Sequence, residues 1–278
     1  MQALGKAQGA ISIQNVGKIY DPGGVNVVAV ETCSMDIQAG EFAVIVGPSG
    51  CGKTTLLNAI AGFDTITQGE IYLDGQLIAS PTTKLSPGAD RMVVFQNGAL
   101  FPWKTVLDNI TYGPVIQGAM AKSQALEAAR ELLKRLGLSG LENRYPEELS
   151  SGYQRRVEII RALINNPRVL LLDEPFRGMD AVSKSVMHEF LLELFDTSRC
   201  TMFFITHDLD EAIFLGDVVY IMTTRPAMVK KVLRVDLPRP RDHRALGTEK
   251  YLELKRQTLE AVHEEALKAF RAGEKELA

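Results

Sequence analysis

Residues 47–54 read GPSGCGKT, a complete G-x-x-x-x-G-K-[ST] phosphate loop, preceded by the apolar run Phe42 to Val46 and followed by the helix-like stretch Thr55 to Ile60. A buried strand feeding a glycine turn that opens a helix is the context in which this motif carries meaning. Gly47, Gly50 and Gly52 let the backbone turn sharply and approach a ligand, so that successive N–H groups point at a polyphosphate. The helix N-terminus adds partial positive charge there. Lys53 supplies a point charge to the β and γ oxygens, and the Thr54 hydroxyl is placed to ligate Mg²⁺. The expected cradle is therefore Gly47, Pro48, Ser49, Gly50, Cys51, Gly52, Lys53, Thr54 and Thr55.

With 278 residues the chain can bury a substantial core as one large domain or two modest ones. Its 31 Lys plus Arg against 34 Asp plus Glu give a net charge of -3, so no general basic field for nucleic acid exists. Cys33, Cys51 and Cys200 are odd in number and widely spaced, which argues for a reducing compartment and against a disulfide framework or zinc site. Cys51 lies inside the phosphate loop near Lys53, where a thiolate is expected to be favoured and its alkylation to block nucleotide binding. No apolar run approaches the roughly 20 residues that span a bilayer, and no secretory signal is visible at the N-terminus. The expectation is a soluble, cytoplasmic chain that acts at a membrane only through a partner.

Residues 11–20 and 27–37 alternate apolar with polar around Asp21-Pro22-Gly23-Gly24, which predicts antiparallel strands joined by a turn. QGEIYLDG (68–75) predicts a strand ending in an Asp-Gly turn, and RMVVFQ (91–96) a buried strand. From Thr105 to Leu163 the pattern becomes helical: Ala125, Leu126, Ala129, Leu132, Leu133 and Leu136 recur at spacings of three and four before Gly137. VLLLDE (169–174), MFFITH (202–207) and VVYIMTT (218–224) then return as continuous apolar strands, the mark of a parallel sheet covered on both faces. The tail reads as separable, with a strand-like KVLRVDL (231–237) and a helical stripe of Leu252, Leu259, Val262, Ala266 and Phe270.

VLLLDE complements the phosphate loop. Its apolar residues carry Asp173 to the strand's C-terminal end, where it holds Mg²⁺ through water, and Glu174 follows as acceptor of a proton from an attacking water.

The remaining motifs narrow the family. Leu149-Ser150-Ser151-Gly152-Tyr153-Gln154 before a helix resembles the LSGGQ signature of ATP-binding cassette (ABC) proteins. Gln96 resembles their Q-loop, Met179-Asp180 the end of their D-loop, and Thr206-His207-Asp208 their switch-histidine region, while Tyr20 stands where an aromatic residue stacks on adenine. The resemblance covers roughly residues 11–225 and has the family's order and approximate spacing. It implies an α/β P-loop NTPase (RecA-like) core with an antiparallel β subdomain (11–97 and 166–225), an inserted helical subdomain (98–165) and a short C-terminal extension (226–278). The ligands implied are ATP and Mg²⁺, with Thr54, Gln96 and Asp173 near the metal. Lys53, Gln96, Glu174 and His207 would be catalytic, and Ser150, Ser151, Gly152 and Asp180 would serve a head-to-tail dimer of this chain or a homologous cassette. Ser150 and the start of its helix form an anion site suited to a γ-phosphate. Two departures stand out: Ser151 replaces the usual glycine, and Arg177-Gly178-Met179-Asp180 replaces a small residue followed by Ala-Leu-Asp.

The chain has one cassette and no long coiled coil, and GALFPWKTVLDNI (98–110) would expose Phe101, Pro102 and Trp103 as an apolar patch. In related transporters this region receives a helix of the membrane permease. The PW pair and the tail 223–242 resemble ATPase subunits of the nitrate, sulfonate and taurine importer group. The function so implied is an ATPase powering import of small solutes, peripheral on the inner face of the membrane through permease subunits and linked indirectly to a periplasmic or extracellular solute-binding protein. The rival classes are a soluble cassette ATPase of nucleic-acid maintenance or translation and a regulatory ATP-binding module. Absence of a basic field opposes the first, and intact Glu174 and His207 oppose the second.

Overall fold

The computed structural model describes residues 8–83, 86–198 and 200–271. Its strands are β1 (Ile11–Tyr20), β2 (Val27–Ile37), β3 (Phe42–Val46), β4 (Gln68–Leu73) and β5 (Gln76–Ala79). They continue with β6 (Arg91–Val94), β7 (Val169–Asp173), β8 (Thr201–Thr206), β9 (Val218–Met222) and β10 (Ala227–Arg234). The α-helices are α1 (Lys53–Ala61), α2 (Val106–Ile116), α3 (Lys122–Arg135), α4 (Ser151–Leu163), α5 (Ala181–Ser198), α6 (Leu209–Leu215) and α7 (Glu249–Arg271).

These strands make one sheet in the order β5-β4-β1-β2-β10-β9-β3-β8-β7-β6. From β9 to β6 neighbours run parallel, whereas β5, β4, β1 and β2 form an antiparallel wing. Every residue of β3, β7 and β8 is buried, because helices or the wing cover both faces. Alternation along β3 sends Phe42, Val44 and Val46 into the core beneath α2 to α7, and Ala43 and Ile45 into the core around α1 and the wing. Each large aliphatic side chain so buried contributes about 1.5–3 kcal/mol, so both faces are held by apolar transfer.

Local chemistry sets the remaining boundaries. Asp74 and Gly75 take positive φ values of 50° and 78°, the tight turn that an Asp-Gly pair favours between β4 and β5. Helix α3 stops as its periodicity implied: Gly137 adopts φ 68° and Leu138 N–H returns to the Leu133 carbonyl at 2.8 Å. Strand β6 differs from the expected buried strand. It is the last strand of the sheet, pairs only with β7, and leaves Met92 and Val93 half-buried and Phe95 exposed.

The tail differs more. Its strand is the seam of the whole sheet, running parallel to β2 through Ala227↔Val30 and antiparallel to β9 from Val229↔Met222 to Arg234↔Val218. It starts before the expected 231–237 and stops at Arg234, where β9 runs out of partners. On α7 the buried residues are Tyr251, Leu254, Thr258, Ala261 and Glu265, while Leu252, Leu259 and Phe270 of the expected stripe are exposed and Val262 is half-buried. Polar residues enter the buried face because partners await them. Thr258 Oγ1 donates to the Leu254 carbonyl, and Glu265 accepts from Lys230, Lys268 and Thr224 N–H. The last seven residues of the expected extension, 272–278, lie outside the described residues.

Burial opposes ionisation of Glu265, but its two lysines and the Thr224 N–H outweigh that and hold the carboxyl down at about 2. A depressed carboxyl stabilises the fold above its unfolded value near 4.5, and that contribution is lost as pH falls towards the folded value. Glu265→Gln should therefore lower the melting temperature at pH 7, with the gap to wild type narrowing below about pH 4.5 in thermal melts by circular dichroism. A gap that stays constant down to pH 3 would show that the charge is not what holds α7.

Candidate active site

Val46 delivers the chain to the phosphate loop at the carboxyl edge of the parallel strands, where open α/β sheets bind ligands. Gly50 and Gly52 adopt φ 72° and 102°, conformations that side chains resist. Gly47 is glycine for another reason: a Cβ there would sit 3.0 Å from Met222 Cβ and 3.1 Å from Cys51 Sγ. Ser49, Gly50, Cys51, Gly52, Lys53, Thr54 and Thr55 line a cavity of about 570 Å³, with Gly47 and Pro48 behind it. The buried Lys53 ammonium donates to the Gly47 and Pro48 carbonyls, both at 2.8 Å, and weakly to Cys51 Sγ at 3.7 Å, so its three donors are turned onto the loop.

Asp173 closes the far side of the same cavity. Thr54 Oγ1 lies 3.2 and 3.0 Å from its two carboxylate oxygens, joining the first turn of α1 to the end of β7. Burial raises the Asp173 carboxyl above its ordinary value; the Thr54 hydrogen bond and Lys53 oppose the shift, and the Glu174 charge adds to it. A cation at this point would oppose that shift by favouring the carboxylate. Hydroxyl and carboxylate oxygens suit Mg²⁺, which takes one or two carboxylates and completes its shell with water and substrate phosphates.

Glu174 adopts φ 42°, a left-handed conformation that costs a non-glycine residue roughly 1–3 kcal/mol. Its N–H donates to the Ile205 carbonyl at 3.0 Å, which holds the turn against β8. Three groups converge on one oxygen, Oε2: Gln96 Nε2 at 3.2 Å, His207 Nδ1 at 3.4 Å and Arg177 Nη1 at 3.7 Å. Oε1 carries no hydrogen bond among the described residues, so an acceptor faces the cavity. Gln96 is itself fixed by α4, because the buried Arg155 donates to the Phe95 and Gln96 carbonyls at 2.7 and 2.8 Å.

Tyr20 lines the opposite end of the cavity with Val27 and Ala29. Its hydroxyl donates to Asp64 at 2.5 Å, and Lys18 Nζ stands 4.7 Å from the ring centroid, so the ring is braced from behind. Burial and then the Asp64 hydrogen bond raise its phenol above the ordinary value, keeping it neutral. Ser150, Ser151, Gly152 and Asp180 do not line this cavity. Ser150 accepts from Tyr153 N–H at 3.5 Å as the cap of α4, and Asp180 accepts from Val182 and Ser183 N–H at the start of α5. Three lining residues, Val27, Ala29 and Arg225, belong to none of the motifs, and Arg177, a departure within the D-loop, joins them at the cavity. A charged residue just past the end of a parallel strand was the available signal for Arg225.

Cys51 departs from the sequence expectation. It is 1% exposed, and burial raises its thiol above the ordinary value despite Lys53 Nζ at 3.7 Å, so the thiolate is suppressed. Iodoacetamide at pH 7 should leave Cys51 unmodified in the native protein and nucleotide binding intact, as peptide mass spectrometry and titration would show. Rapid labelling of the native chain would overturn this.

The chain is similar to several known proteins. The family described as ABC transporter matches residues 30–177. The nitrate import ATP-binding protein of Synechococcus elongatus is 40% identical over 258 residues, 92% of each chain. The aliphatic sulfonates import ATP-binding protein of Bacillus cereus is 38% identical over 250 residues, 90% of this chain and 94% of that one. Among solved structures, a dimeric post-hydrolysis ATP-binding cassette bound to ADP and Pi superposes with a TM-score of 0.69 at 30% identity, covering 82% of this chain and all of that one. Matched over more than half its length by the family's profile and over nine-tenths by a relative of 40% identity, this chain belongs to the ATP-binding proteins of the ABC transporter family.

Proposed function

We propose that this chain hydrolyses ATP as the nucleotide-binding subunit of a membrane importer of small oxyanions, of the nitrate and sulfonate kind that its relatives' names carry. One observation supports the hydrolytic reading above others: phosphate-loop donors, the Thr54–Asp173 pair and a Glu174 carboxylate oriented by Gln96 and His207 share one cavity. The loop N–H groups, the N-terminus of α1 and Lys53 bind the polyphosphate. Thr54 and Asp173 would hold Mg²⁺ there, which when bound supplies Lewis-acid charge to the phosphate oxygens. Gln96 and His207 orient Glu174, whose free oxygen accepts a proton from the water that attacks the γ-phosphorus.

The exposed N-terminus of α4 lies away from this chain's own cavity and offers N–H groups suited to an anion. In a head-to-tail pair it faces the γ-phosphate on the other copy. ATP then bridges two chains, and hydrolysis removes the bridge. A second surface suits a permease. Phe63, Phe95, Phe101 and Tyr112 line a mostly apolar groove of about 580 Å³ between the sheet edge and the helical segment, and Trp103 stands 71% exposed near Phe101. Phe101 itself is half-buried, packed edge-on to Tyr112 and under Arg161, so the expected patch narrows to Pro102 and Trp103.

Glu174→Gln should abolish steady-state turnover, by roughly a hundredfold or more, while binding ATP normally and eluting as a dimer with ATP in size-exclusion chromatography. Persistent turnover would refute Glu174 as the base. Affinity purification from detergent-solubilised membranes of the native cells should recover an integral membrane protein with the chain. Trp103→Glu should lose that partner and keep basal ATPase activity; capture unaffected by the substitution would place the permease elsewhere.

A further inference from the structure

Strand β9 ends beside the phosphate loop. Val46 pairs with Ile221, and a Cβ on Gly47 would touch Met222, so the turn from β9 to β10 emerges at the ligand edge of the sheet. What the turn presents there is Arg225, which belongs to none of the phosphate-binding motifs. Its Nη2 donates to the Gly50 carbonyl at 3.0 Å, and the residue lines the cavity with Tyr20, Val27 and the phosphate loop. That is the only hydrogen bond of its guanidinium among the described residues, and a guanidinium has five N–H donors.

The turn that carries Arg225 is tightly built. Thr223 N–H donates to the Met228 carbonyl, Met228 N–H to Thr223 Oγ1, and Thr223 Oγ1 to the Pro226 carbonyl, each at 2.9 Å. Thr224 N–H donates at 3.1 Å to Glu265, a carboxylate 1% exposed on α7 and paired with Lys230 and Lys268. On the opposite flank a Cβ on Gly52 would lie 3.0 Å from Ala227 Cβ, so the strand start is packed against the helix that opens the phosphate site. Arg225 is thus preorganised on both sides.

We propose that Arg225 is a nucleotide-binding residue, whose guanidinium, anchored on the Gly50 carbonyl, gives charge-assisted hydrogen bonds to phosphate oxygens of the nucleotide, with Glu265 as its positioning residue. The inference rests on the reading of this cavity as the nucleotide site. Lys53 turns its donors onto loop carbonyls and Cys51 Sγ, so a guanidinium at the rim supplies donors that the motif lysine does not. A planar guanidinium fork matches a phosphate better than an ammonium does, and holding it in place beforehand reduces the entropy lost on binding.

The test is equilibrium titration of the full chain with fluorescent ADP at several salt concentrations, using wild type, Arg225→Met, Arg225→Lys, Glu265→Gln and Lys53→Ala. Arg225→Met keeps an apolar stem and removes the charge. It should weaken ADP roughly tenfold, the change produced by losing about 1.4 kcal/mol, and flatten the salt dependence, whereas Arg225→Lys should recover part of both. Glu265→Gln should weaken ADP in the wild-type background and add nothing in the Arg225→Met background, the non-additivity of residues acting through one contact. An unchanged affinity, or a loss without change in salt dependence, would show that Arg225 only staples the loop and overturn the proposal. Additive losses would remove Glu265 from it. Lys53→Ala separates the two readings: if it binds ADP as wild type does, the cavity assignment fails, and if it alone loses binding, only the role of Arg225 fails.

Discussion

Two glycines of the phosphate loop have no space for a side chain, and the rest of the molecule is arranged around that close approach. A Cβ on Gly47 would meet Met222 at the end of β9, and one on Gly52 would lie 2.8 Å from the Ala29 carbonyl of β2 and 3.0 Å from Ala227 of β10. Three strands from two distant parts of the chain therefore define the walls against which the loop turns. The turn keeps its shape because the sheet does, which is how a glycine-rich segment presents a preformed array of N–H donors instead of a flexible coil. It also explains why the antiparallel wing and the tail are needed at all: they carry β2 and β10.

Charge is distributed by the same logic. Two adjacent carboxylates, Asp173 and Glu174, lie beside each other with Lys53 turned onto loop carbonyls, so the cavity carries acidic groups on one wall and donors on the other. A phosphate with its cation satisfies both walls together. Glu174 is oriented from three directions, by residues following β6, β8 and β7. One of these is mechanically linked to the helical segment, since Arg155 of α4 grips the Phe95 and Gln96 carbonyls and pairs with Glu158, which accepts from Ala99 N–H at 2.7 Å. A displacement of α4, or of the groove beside Phe95, would thus reach Gln96 through direct contacts.

The parallel strands and the phosphate side of the cavity were legible because their signals are local. VLLLD and FAVIV are continuous apolar runs, and GPSGCGKT writes its own backbone conformation. What escaped depended on tertiary neighbours. The α7 stripe was assigned by hydropathy, yet Thr258 and Glu265 are buried because Leu254 and Lys230 satisfy them, and Leu252 and Leu259 remain outside. Cys51 looked activated by Lys53 in sequence, but desolvation in the folded loop outweighs the nearby ammonium. Arg177 and Arg225 reach the cavity only because the turns after β7 and β9 end at the same sheet edge. Charges brought together by topology have no spacing to be read.

The tail shows the same point at larger scale. Helix α7 touches both ends of the cavity's support: Tyr251 and Lys255 bind Asp210 on α6, directly after His207, and Glu265 binds Thr224 beside Arg225. One helix of 23 residues therefore spans the segment that carries His207 and the turn that rims the phosphate loop. β10 is the seam between the antiparallel wing and the parallel core, and Lys230 on it binds the Ala261 carbonyl and Glu265 of the helix, which ties α7 to the partner of β9, whose end abuts Gly47. The tail is consequently part of the cavity's frame, and its exposed Leu252 and Leu259 face away from that frame while its polar buried residues tie it in place.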